Sequence, residues 1–435
     1  MSETWSVEEH LDDILSSVRP LEPIELQLLD AQGCVLVEDV AVPVSLPPFD
    51  NSSMDGYAVR TADVEGSCEE FPAVLTVIGD VAAGEGDLPV VERGQAARIM
   101  TGAALPPGAE AVVPVEWTDG GLGGGPVETM SARSTDPGGA AGEVRVHRPV
   151  EQGQHVRPRG SDVRAGAVAL SAGTLLGPPQ VGLLAAIGRG TVTVRPRPRV
   201  VVVSTGSELV QPGEQLGSGQ IYDSNSYVLT AAARDAGAIS YRVGAVSDDA
   251  DTLRSTIEDQ LIRADLVVTS GGVSVGAYDV VKEVLSQVDG GSGSVEFRRL
   301  AMQPGKPQGF GLIGPDRTPV LALPGNPVSA YVSFELFVRP AVRALMGRAS
   351  VRRETARARL ETDEALTSTD GKRQFLRGSY LPPAAGEAKG VVRPVGGAGS
   401  HLIAALAQAN ALIDIPEKTT RITPGEEVTV VPLDP

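Results

Sequence analysis

The stretch DLVVTSGGVSVGAYDVVKEV, residues 265–284, decides the fold of this chain. It opens on an apolar run that is typical of a strand buried on both faces of a parallel sheet. Gly271, Gly272 and Gly276 then predict a loop, and a helix is expected to begin near Tyr278. Backbone N–H groups and a helix N-terminus would face this loop, which suits an oxyanion. The alternative is a glycine turn that serves only strand-to-helix packing.

Strands and helices alternate around this stretch. Two more apolar strands are predicted, RVVVVS at 199–204 and TPVLALP at 318–324, and helices are predicted at 224–236, 251–262, 278–288 and 327–346. Such alternation calls for a parallel sheet covered on both faces. We therefore expect a multidomain α/β protein whose central domain is doubly wound and is joined to β-rich subdomains.

The ends and loops of the other parts also carry signals. Ser6 followed by Glu9 predicts a capping box, and the apolar spacing after it predicts a docking helix up to Pro20. Residues 46–143 look β-rich. The segments 120–125 and 134–142 are too poor in apolar residues to pack, so mobile loops are expected there.

Length and composition limit the class of protein. A chain of 435 residues that is 42% hydrophobic and 21% charged has material for two to four folded units. Its start is acidic and amphipathic, and no apolar run approaches the roughly 18 residues of a membrane span. Cys34 and Cys68 lack metal-ligand spacing and form no CxxC. We expect a cytoplasmic protein with neither membrane insertion nor a disulfide framework.

The formal net charge of −18 argues against nucleic-acid binding, which relies on Lys and Arg to neutralise phosphates. An anionic ligand must then be held locally. The basic residues are bunched, which predicts a positively charged pocket on an acidic protein; the bunches are Arg157, Arg159 and Arg164; Arg195, Arg197 and Arg199; and Lys372, Arg373 and Arg377.

Polar residues follow the predicted strands. STGSEL (204–209) places Thr205 and Glu208 after the first strand, at the edge where open α/β sheets bind ligands. PGKP (304–307) holds Lys306 between prolines, which pre-positions its stem for an anion. LPGNPVSA (323–330) adds Asn326 and Ser329. Four further polar residues are more readily helix caps than ligands when each is taken alone, namely Asp223, Asn225, Asp248 and Asp249.

The first half carries two more polar motifs. PPFDNSSMDGYAV (47–59) contains Asp50 and Asp55, whose carboxylates suit Mg²⁺ or Zn²⁺ or cap backbone groups. HVRPRGSDV (155–163) adds Arg157, Arg159 and Asp162. Because two parts of the chain offer such clusters, a site at their junction is plausible.

At these residues the chain resembles the molybdopterin molybdenumtransferases, the family of MoeA and the gephyrin E domain. The resemblance covers nearly the whole length. The motifs that carry it occur in the order FDNSSMDGYAV (49–59), RIMTGAALPPGAEAVVPVE (98–116), RPRGSDVRAGAV (157–168), STGSEL (204–209), IYDSNS (221–226), SGGVSVG (270–276), PGKP (304–307), LPGNPVSA (323–330) and GSH (399–401).

This resemblance implies an elongated homodimer of four-part protomers whose active cleft takes residues from both chains. We divide the protomer into a molybdopterin-binding α/β domain (1–22 and 178–346), a small linking subdomain (23–45 and 144–177), a β-rich subdomain (46–143) and a C-terminal β subdomain (347–435). The implied reaction inserts molybdenum from molybdate into adenylylated molybdopterin, and AMP is released with the help of Mg²⁺ or Zn²⁺.

The resemblance also implies roles for single residues. Those that would serve hydrolysis are acidic, namely Asp55, Asp162, Glu208, Asp248 and Asp279, and Asp55 and Asp279 would hold the metal. The molybdopterin substrate would contact Thr205, Ser270, Gly271, Gly272, Ser274 and Asn326. Molybdate would be surrounded by Lys306, Pro307, Ser329, Arg377 and Ser400.

Two departures from the family's pattern predict a weaker or differently tuned site. Ser207 stands in STGSEL where the family often has an acidic residue, and Gln303 precedes PGKP where it often has a lysine. An alternative role would tolerate both changes: a gephyrin-like dimeric scaffold that binds a short peptide of a cytoskeletal or membrane-receptor partner in a groove at the dimer interface. A nucleotide-dependent dehydrogenase is disfavoured because GxGxxG is missing.

Overall fold

A computed structural model describes residues 4–84, 86–129, 142–247, 249–272, 281, 284–285, 295–386 and 388–433. The chain begins with β1 (Thr4–Trp5), α1 (Val7–Ser17), β2 (Ile24–Gln27), β3 (Val35–Leu36) and β4 (Val40–Ala41). The predicted capping box starts α1: the Ser6 N–H donates to Glu9 Oε2 at 2.7 Å and the Glu9 N–H donates to Ser6 Oγ at 3.1 Å. The buried face of α1 packs on the core of the large sheet described below.

The next part is β-rich, as predicted. It contains β5 (Asn51–Ser52), β6 (Gly56–Val59), β7 (Ala73–Val81), β8 (Gln95–Ile99), β9 (Ala111–Pro114), β10 (Glu143–Val146), β11 (Val156–Arg157), β12 (Val168–Leu170) and short 3₁₀ turns at Thr61–Asp63 and Val115–Trp117. A five-stranded sheet runs in the order β10-β7-β8-β6-β9, and the pairs β11–β5 and β12–β4 stand beside it.

One loop of this part differs from the prediction. The segment 120–125 was expected to be mobile, but Gly120 and Gly121 are buried. The Gly120 N–H donates to Thr118 Oγ1 at 3.1 Å and the Gly121 N–H to Asp119 Oδ1 at 2.9 Å, so polar side chains rather than apolar packing hold the start of the loop. The second predicted loop, 134–142, lies outside the described residues except for Gly142.

The central part alternates between strands and helices. It contains α2 (Pro178–Ala186), β13 (Thr191–Arg195), β14 (Arg199–Thr205), β15 (Leu209–Val210), β16 (Ile221–Tyr222), α3 (Asn225–Asp235), β17 (Ile239–Val246), α4 (Ala250–Leu261), β18 (Leu266–Ser270), β19 (Val295–Leu300), β20 (Met302–Gln303), β21 (Pro307–Ile313), β22 (Thr318–Leu323), α5 (Pro327–Ser333), a π-helical turn (Phe334–Val338) and α6 (Arg339–Leu345). Strand β13 joins β2 and β3 in a small sheet, and β15 pairs with β16.

The large sheet has seven strands in the order β1-β19-β21-β22-β18-β14-β17. It is mixed rather than wholly parallel, because β21 runs antiparallel to both β19 and β22. The reason is the short turn at 314–317 between β21 and β22, which is too short for a parallel crossover. Strands β14, β18 and β22 are mutually parallel, as predicted, and β17, which was not among the predicted strands, runs parallel to β14.

The side chains of β14 alternate between two cores, one on each face of the sheet. Val200 and Val202 are buried in a core shared with α1, α3, α5 and α6, whereas Val201 and Val203 belong to a second core with α4. Val281, Val284 and Leu285, from the predicted helix 278–288, are buried in that second core; the rest of that helix lies outside the described residues. The doubly wound fold class is therefore confirmed.

The last part contains β23 (Ala356–Leu360), β24 (Leu366–Thr367), β25 (Arg373–Leu381), β26 (Gly390–Pro394), α7 (Ile403–Ala407), β27 (Ala411–Ile415), β28 (Arg421–Ile422) and β29 (Glu427–Pro432). Its six-stranded sheet runs in the order β20-β25-β26-β23-β29-β27, so β20 links it to the central part. Across the described ranges, the helices are all too short or too polar to cross a bilayer.

Candidate active site

A cavity of about 700 Å³ lies at the carboxyl ends of the parallel strands β14, β18 and β22. Open α/β sheets bind ligands at this edge, because the loops that follow neighbouring strands meet there. The residues that line it come from three such loops, from the start of α3 and from two more distant segments: Thr205, Gly206, Glu208, Leu209, Ile221, Tyr222, Asp223, Ser224, Asn225, Ser270, Gly271, Gly272, Pro307, Pro324, Gly325, Asn326, Pro327, Ser329 and His401.

Glycine allows the loops after β14 and β18 to touch. Gly271 has φ +101°, and a Cβ there would lie 2.6 Å from the carbonyl oxygen of Thr205. Any side chain would therefore push the two loops apart, in a backbone conformation that L-residues rarely adopt. Gly271 of the predicted loop thus serves close packing, and that packing forms one wall of the cavity.

Asn225 joins two of the loops. Its Nδ2 donates to Ser270 Oγ at 2.8 Å and to the carbonyl oxygen of Gly325 at 2.7 Å. It is the first residue of α3, so the helix start is attached to the ends of β18 and β22. The sequence favoured a helix cap over a ligand for Asn225, and in the structure its side chain braces the cavity wall.

The acidic residues beside these loops divide into caps and free groups. Asp223 accepts hydrogen bonds from the N–H and Oγ of Ser226 in the first turn of α3, and Asp249, the N-cap of α4, accepts from the N–H and Oγ1 of Thr252, so both carboxylates are engaged at helix starts. Glu208 is exposed, and its carboxylate folds over Gly206, where a Cβ would lie 2.7 Å from Oε2. Of these three, Glu208 is the one whose carboxylate remains available at the cavity.

Hydroxyl groups supply further polar atoms to the wall. Thr205 is 5% exposed and lines the cavity, and its Oγ1 has no hydrogen-bond partner among the described residues. A buried hydroxyl without a partner costs free energy, which a polar ligand would recover. Asn326 precedes α5 and its side chain makes no capping bond to that helix. Thr205 and Asn326 therefore offer uncommitted polar groups to a ligand.

Two of the residues assigned to molybdate lie in the wall of the same cavity, Pro307 and Ser329. Ser400 is attached to α5, since its carbonyl oxygen accepts from the Val328 N–H at 3.0 Å. Lys306 is exposed on the loop before Pro307, and its carbonyl oxygen accepts from the Leu300 N–H at 2.8 Å. Pro307 and Ser329 therefore lie in the cavity wall, whereas Lys306 and Ser400 do not line the cavity and are each next in sequence to a residue that does.

Arg377, the fifth residue assigned to molybdate, supports a loop. It is 2% exposed, and its Nη1 donates to the carbonyl oxygen of Gly399 at 3.1 Å while Nη2 donates to that of Gly397. Burial lowers the pKa of this guanidinium below its ordinary value. Arg377 therefore shapes the loop that ends at His401, which does line the cavity. His401 was missed as a site residue, although the GSH motif contains it.

The expected positive pocket is not confirmed: among the described residues that line the cavity, none is Lys or Arg. Four of the bunched arginines instead make contacts within the fold. Arg195 donates to the carbonyl oxygen of Leu21, and Arg197 donates to those of Gly237 and Ala238. Arg199 pairs with Asp265 and Arg373 with Asp414.

The two motifs of the first half form a separate cluster. Strand β5 pairs with β11, so that Asn51 lies opposite Arg157. The Arg159 N–H donates to Asp50 Oδ1 at 2.6 Å, and the Ser53 N–H donates to the carbonyl oxygen of His155 at 2.9 Å. Asp55 and Asp162 lie close in sequence to β5 and β11, and both are exposed. Neither of them lines the cavity.

The proposed metal ligands are Asp55 and Asp279, and of these two the structure describes Asp55. Asp55 Oδ1 accepts from both the N–H and Oγ1 of Thr101, at 2.6 and 2.9 Å. Within the described ranges, no three His, Cys, Asp or Glu residues come together as metal ligands. One exposed carboxylate does not make a metal site, and the other predicted residues Asp248, Ser274 and Asp279 lie outside the described residues.

Three family models match successive parts of the chain. They describe the MoeA N-terminal region (domain I and II) at residues 5–188, a probable molybdopterin binding domain at 201–344, and the MoeA C-terminal region (domain IV) at 352–433. The cavity described above is formed almost wholly by the second of these ranges.

Full-length relatives agree with these matches. Molybdopterin molybdenumtransferase 2 of Mycobacterium tuberculosis (strain CDC 1551 / Oshkosh) is 44% identical over 427 residues, 98% of each chain. Molybdopterin molybdenumtransferase 1 of the same strain is 41% identical over 449 residues, again 98% of each. A crystal structure of a MoeA molybdopterin biosynthesis protein from Pyrococcus horikosii superposes with a TM-score of 0.75 at 32% identity and covers all of both chains.

A doubly wound domain with a polar cavity at its carboxyl edge, flanked by β-rich parts, defines a multidomain α/β protein with a candidate ligand site at the sheet edge. The matches across its whole length make the assignment specific: the chain belongs to the MoeA family of molybdenum-cofactor biosynthesis enzymes.

Proposed function

We propose that this enzyme inserts molybdenum from molybdate into adenylylated molybdopterin and releases AMP. The observation that carries the proposal is the cavity of about 700 Å³ at the carboxyl edge of the sheet, which falls in the range matched by the molybdopterin-binding family model. Its volume suits a ligand of this class, since small-molecule sites typically occupy roughly 300–1,000 Å³.

The molybdopterin end of the substrate would lie along the loops after β14 and β18. Thr205, Ser270 and the backbone at Gly271 and Gly272 would donate to its phosphate, together with Ser274, and Asn326 would hold the opposite side. A hydrogen bond to a charged group contributes roughly 1.5–3 kcal/mol, so a few such donors suffice without a nearby arginine.

Molybdate would bind where Pro307 and Ser329 line the cavity. Lys306 is exposed on the adjacent loop, so its ammonium group would supply the positive charge that the described wall lacks. Arg377 and Ser400 would act on this end indirectly. Arg377 supports the loop 397–401, and the Ser400 carbonyl oxygen in that loop accepts from the Val328 N–H of α5.

The acidic candidates would serve the hydrolysis that releases AMP. Glu208 lies at the cavity with an exposed carboxylate, and Asp248 and Asp279 follow β17 and β18 in the sequence. A divalent cation, Mg²⁺ or Zn²⁺, would neutralise charge on the pyrophosphate link when bound. Asp55 and Asp279 remain the carboxylates proposed to hold it, since hard cations prefer oxygen ligands.

We further propose a homodimer in which the cluster around Asp55 and Asp162 of one protomer faces the cavity of its partner. Supporting this is the separation seen within one chain, where the cavity is lined by residues from 205 to 401 and neither Asp55 nor Asp162 takes part.

The four-part division of the protomer and a cytoplasmic location belong to the same proposal. The free thiols of Cys34 and Cys68 support the cytoplasmic location. No observation favours the scaffold role, and it is not proposed.

A reconstituted turnover assay tests the reaction. The purified chain is supplied with adenylylated molybdopterin, molybdate and Mg²⁺, and AMP is followed over time. We expect AMP release that depends on molybdate and is lost in Asp279→Asn. Asp316→Asn is the matched control, because Asp316 is exposed in the turn between β21 and β22, away from the cavity. A folded wild-type protein that releases no AMP would overturn the proposal.

A further inference from the structure

The loop that presents Lys306 is fastened by a buried amide. Gln308, the second residue of β21, is 1% exposed. Its Nε2 donates to the carbonyl oxygen of Gly305 at 2.6 Å and to Ser333 Oγ at 2.6 Å. Gly305 and Ser333 are themselves buried. One side chain therefore ties the turn before β21 to the end of α5.

The turn also lies directly against the helix. Gly305 has φ +100°, and a Cβ at this position would lie 2.9 Å from both Ser333 Oγ and Met302 Cε. Glycine is required here because the turn needs a positive φ and the space is already filled. The amide of Gln308 therefore bridges the Gly305 turn and α5 where the two are already in close contact.

The helix connects this contact to the cavity. Ser329 and Ser333 are four residues apart on α5, so they lie on the same side of the helix, one turn apart. Ser329 lines the cavity, and Ser333 holds the amide of Gln308. The loop with Lys306 and Pro307 is thereby attached to the helix that carries Ser329.

We infer that Gln308 is a positioning residue for the oxyanion end of the site, a role that rests on the proposed function. It sets the place of Lys306 and Pro307 relative to Ser329 without touching the substrate. Loss of its donor leaves the buried Gly305 carbonyl oxygen without this hydrogen bond, so the turn gains freedom or shifts towards water. Molybdate then has to order the loop as it binds, and that cost appears in its affinity.

Gln308→Met tests this, since methionine keeps the size of the side chain and removes the donor. We expect the KM for molybdate to rise about tenfold, the equivalent of one lost hydrogen bond. The KM for adenylylated molybdopterin and kcat at saturating molybdate should change little. Gln374→Met is the matched control, because Gln374 is a buried glutamine on β25 of the C-terminal sheet and does not line the cavity.

Ser333→Ala provides a second, smaller change that removes one of the two acceptors, and a rise of a few-fold in the same KM is expected. Heat unfolding checks that each variant is folded, and Ser333→Ala decides the matter if Gln308→Met does not fold. Wild-type turnover without molybdate dependence would overturn the proposed function itself. Molybdate-dependent wild-type turnover, with the KM for molybdate unchanged in the variants or both KM values raised equally, would overturn the inference about Gln308 alone.

Discussion

His10 is a titratable residue on the buried face of α1, only 1% exposed. Its ring meets Phe337 edge-on, with ring centroids 4.8 Å apart and planes at 79°. Burial, aided by the positive charge of Arg298, lowers the pKa of His10 from 6.5 to about 4. The folded protein therefore keeps this imidazole neutral where an unfolded chain would protonate it.

This shift predicts a pH dependence of stability. The stabilising contribution is complete above pH 6.5 and is lost as the pH falls to about 4, because only the unfolded chain takes up a proton in that window. The loss amounts to about 3 kcal/mol, from 1.36 kcal/mol for each pH unit of the shift. Denaturant unfolding of wild type and His10→Phe from pH 7 to 4 measures it. An equally steep fall in both proteins would contradict the assignment.

Gly271 gives a second prediction at this scale. Gly271→Ala puts a Cβ 2.6 Å from the carbonyl oxygen of Thr205, whereas Gly371→Ala, also at positive φ (+73°), meets open space. Both substitutions incur backbone strain of roughly 1–2 kcal/mol. Gly271→Ala should in addition raise the KM for adenylylated molybdopterin, because the cavity wall must move. Equal kinetics in the two variants would show that this wall tolerates displacement.

At the scale of elements, α3 and the loops after β18 and β22 behave as one unit through Asn225. Asn225→Ala removes both donated bonds, and Asn225→Asp also places a carboxylate against the carbonyl oxygen of Gly325. We expect weaker binding of adenylylated molybdopterin in both, and more so in Asn225→Asp, because repulsion adds to the lost bonds. Calorimetric titration of the ligand checks this order. The reverse order would contradict the repulsion between the introduced carboxylate and the carbonyl oxygen of Gly325.

The helix predicted at 327–346 shows what the local apolar pattern of a sequence does not predict. Its extent is right, but the structure breaks it into α5, a π-helical turn at Phe334–Val338 and α6. Pro340 explains part of this, since it has no N–H for the usual bond to residue 336 and its ring crowds that carbonyl group. Apolar periodicity predicts that a segment is helical, whereas the wider turn depends on how this helix packs against α1 and α3.

At the scale of the whole molecule, Arg373 joins distant parts of the chain. Its Nε and Nη2 donate to the two carboxylate oxygens of Asp414 at 2.8 and 2.7 Å, and its Nη1 pairs with Glu8 on α1. The pKa of Arg373 is raised, chiefly because of the hydrogen bond to Asp414, which is itself 7% exposed. The C-terminal sheet and the N-terminal helix are therefore held by one guanidinium group.

Arg373→Gln should lower the free energy of unfolding by roughly 2–3 kcal/mol, because Asp414 is left buried without its charged partner. The partial exposure of Arg373 keeps the loss from being larger, since solvent screens the pair. Arg393→Gln is the matched control, since its pair with Glu361 is exposed on both sides and its loss should not be measurable. Denaturant unfolding compares the two. If Arg373→Gln and Arg393→Gln cost the same, the Arg373 pair does not join these parts energetically.

The proposed dimer predicts complementation between two defective chains. Asp55→Asn impairs the first-half cluster, and Ser329→Asp places a carboxylate where molybdate would bind. If each site uses Asp55 of one protomer and Ser329 of the other, a mixed dimer regains one intact site. Co-expression should then restore about a quarter of wild-type activity, because half of the dimers are mixed and each has one working site. Activity no higher than that of either variant alone would place both residues in one chain's site.

The sequence by itself determined the features that depend on near neighbours. The strand runs at 199–204 and 265–270, the helices beginning near Asn225 and Ala250, and the capping box at Ser6 and Glu9 were all predicted, because repeats of 2 and 3.6 residues and helix caps are set within a few positions. The polar loops after the strands were also placed correctly, since parallel strands end at one edge.

Only the tertiary structure decided which side chains meet. Arg377 was assigned to molybdate, yet its guanidinium group lies on the carbonyl oxygens of Gly397 and Gly399. Gln308 has no sequence signature of its role, yet its side chain attaches the Lys306 loop to α5. A buried polar group bonds to whatever partner the packed chain brings within about 3 Å, and that partner is chosen by the approach of segments far apart in sequence rather than by local spacing.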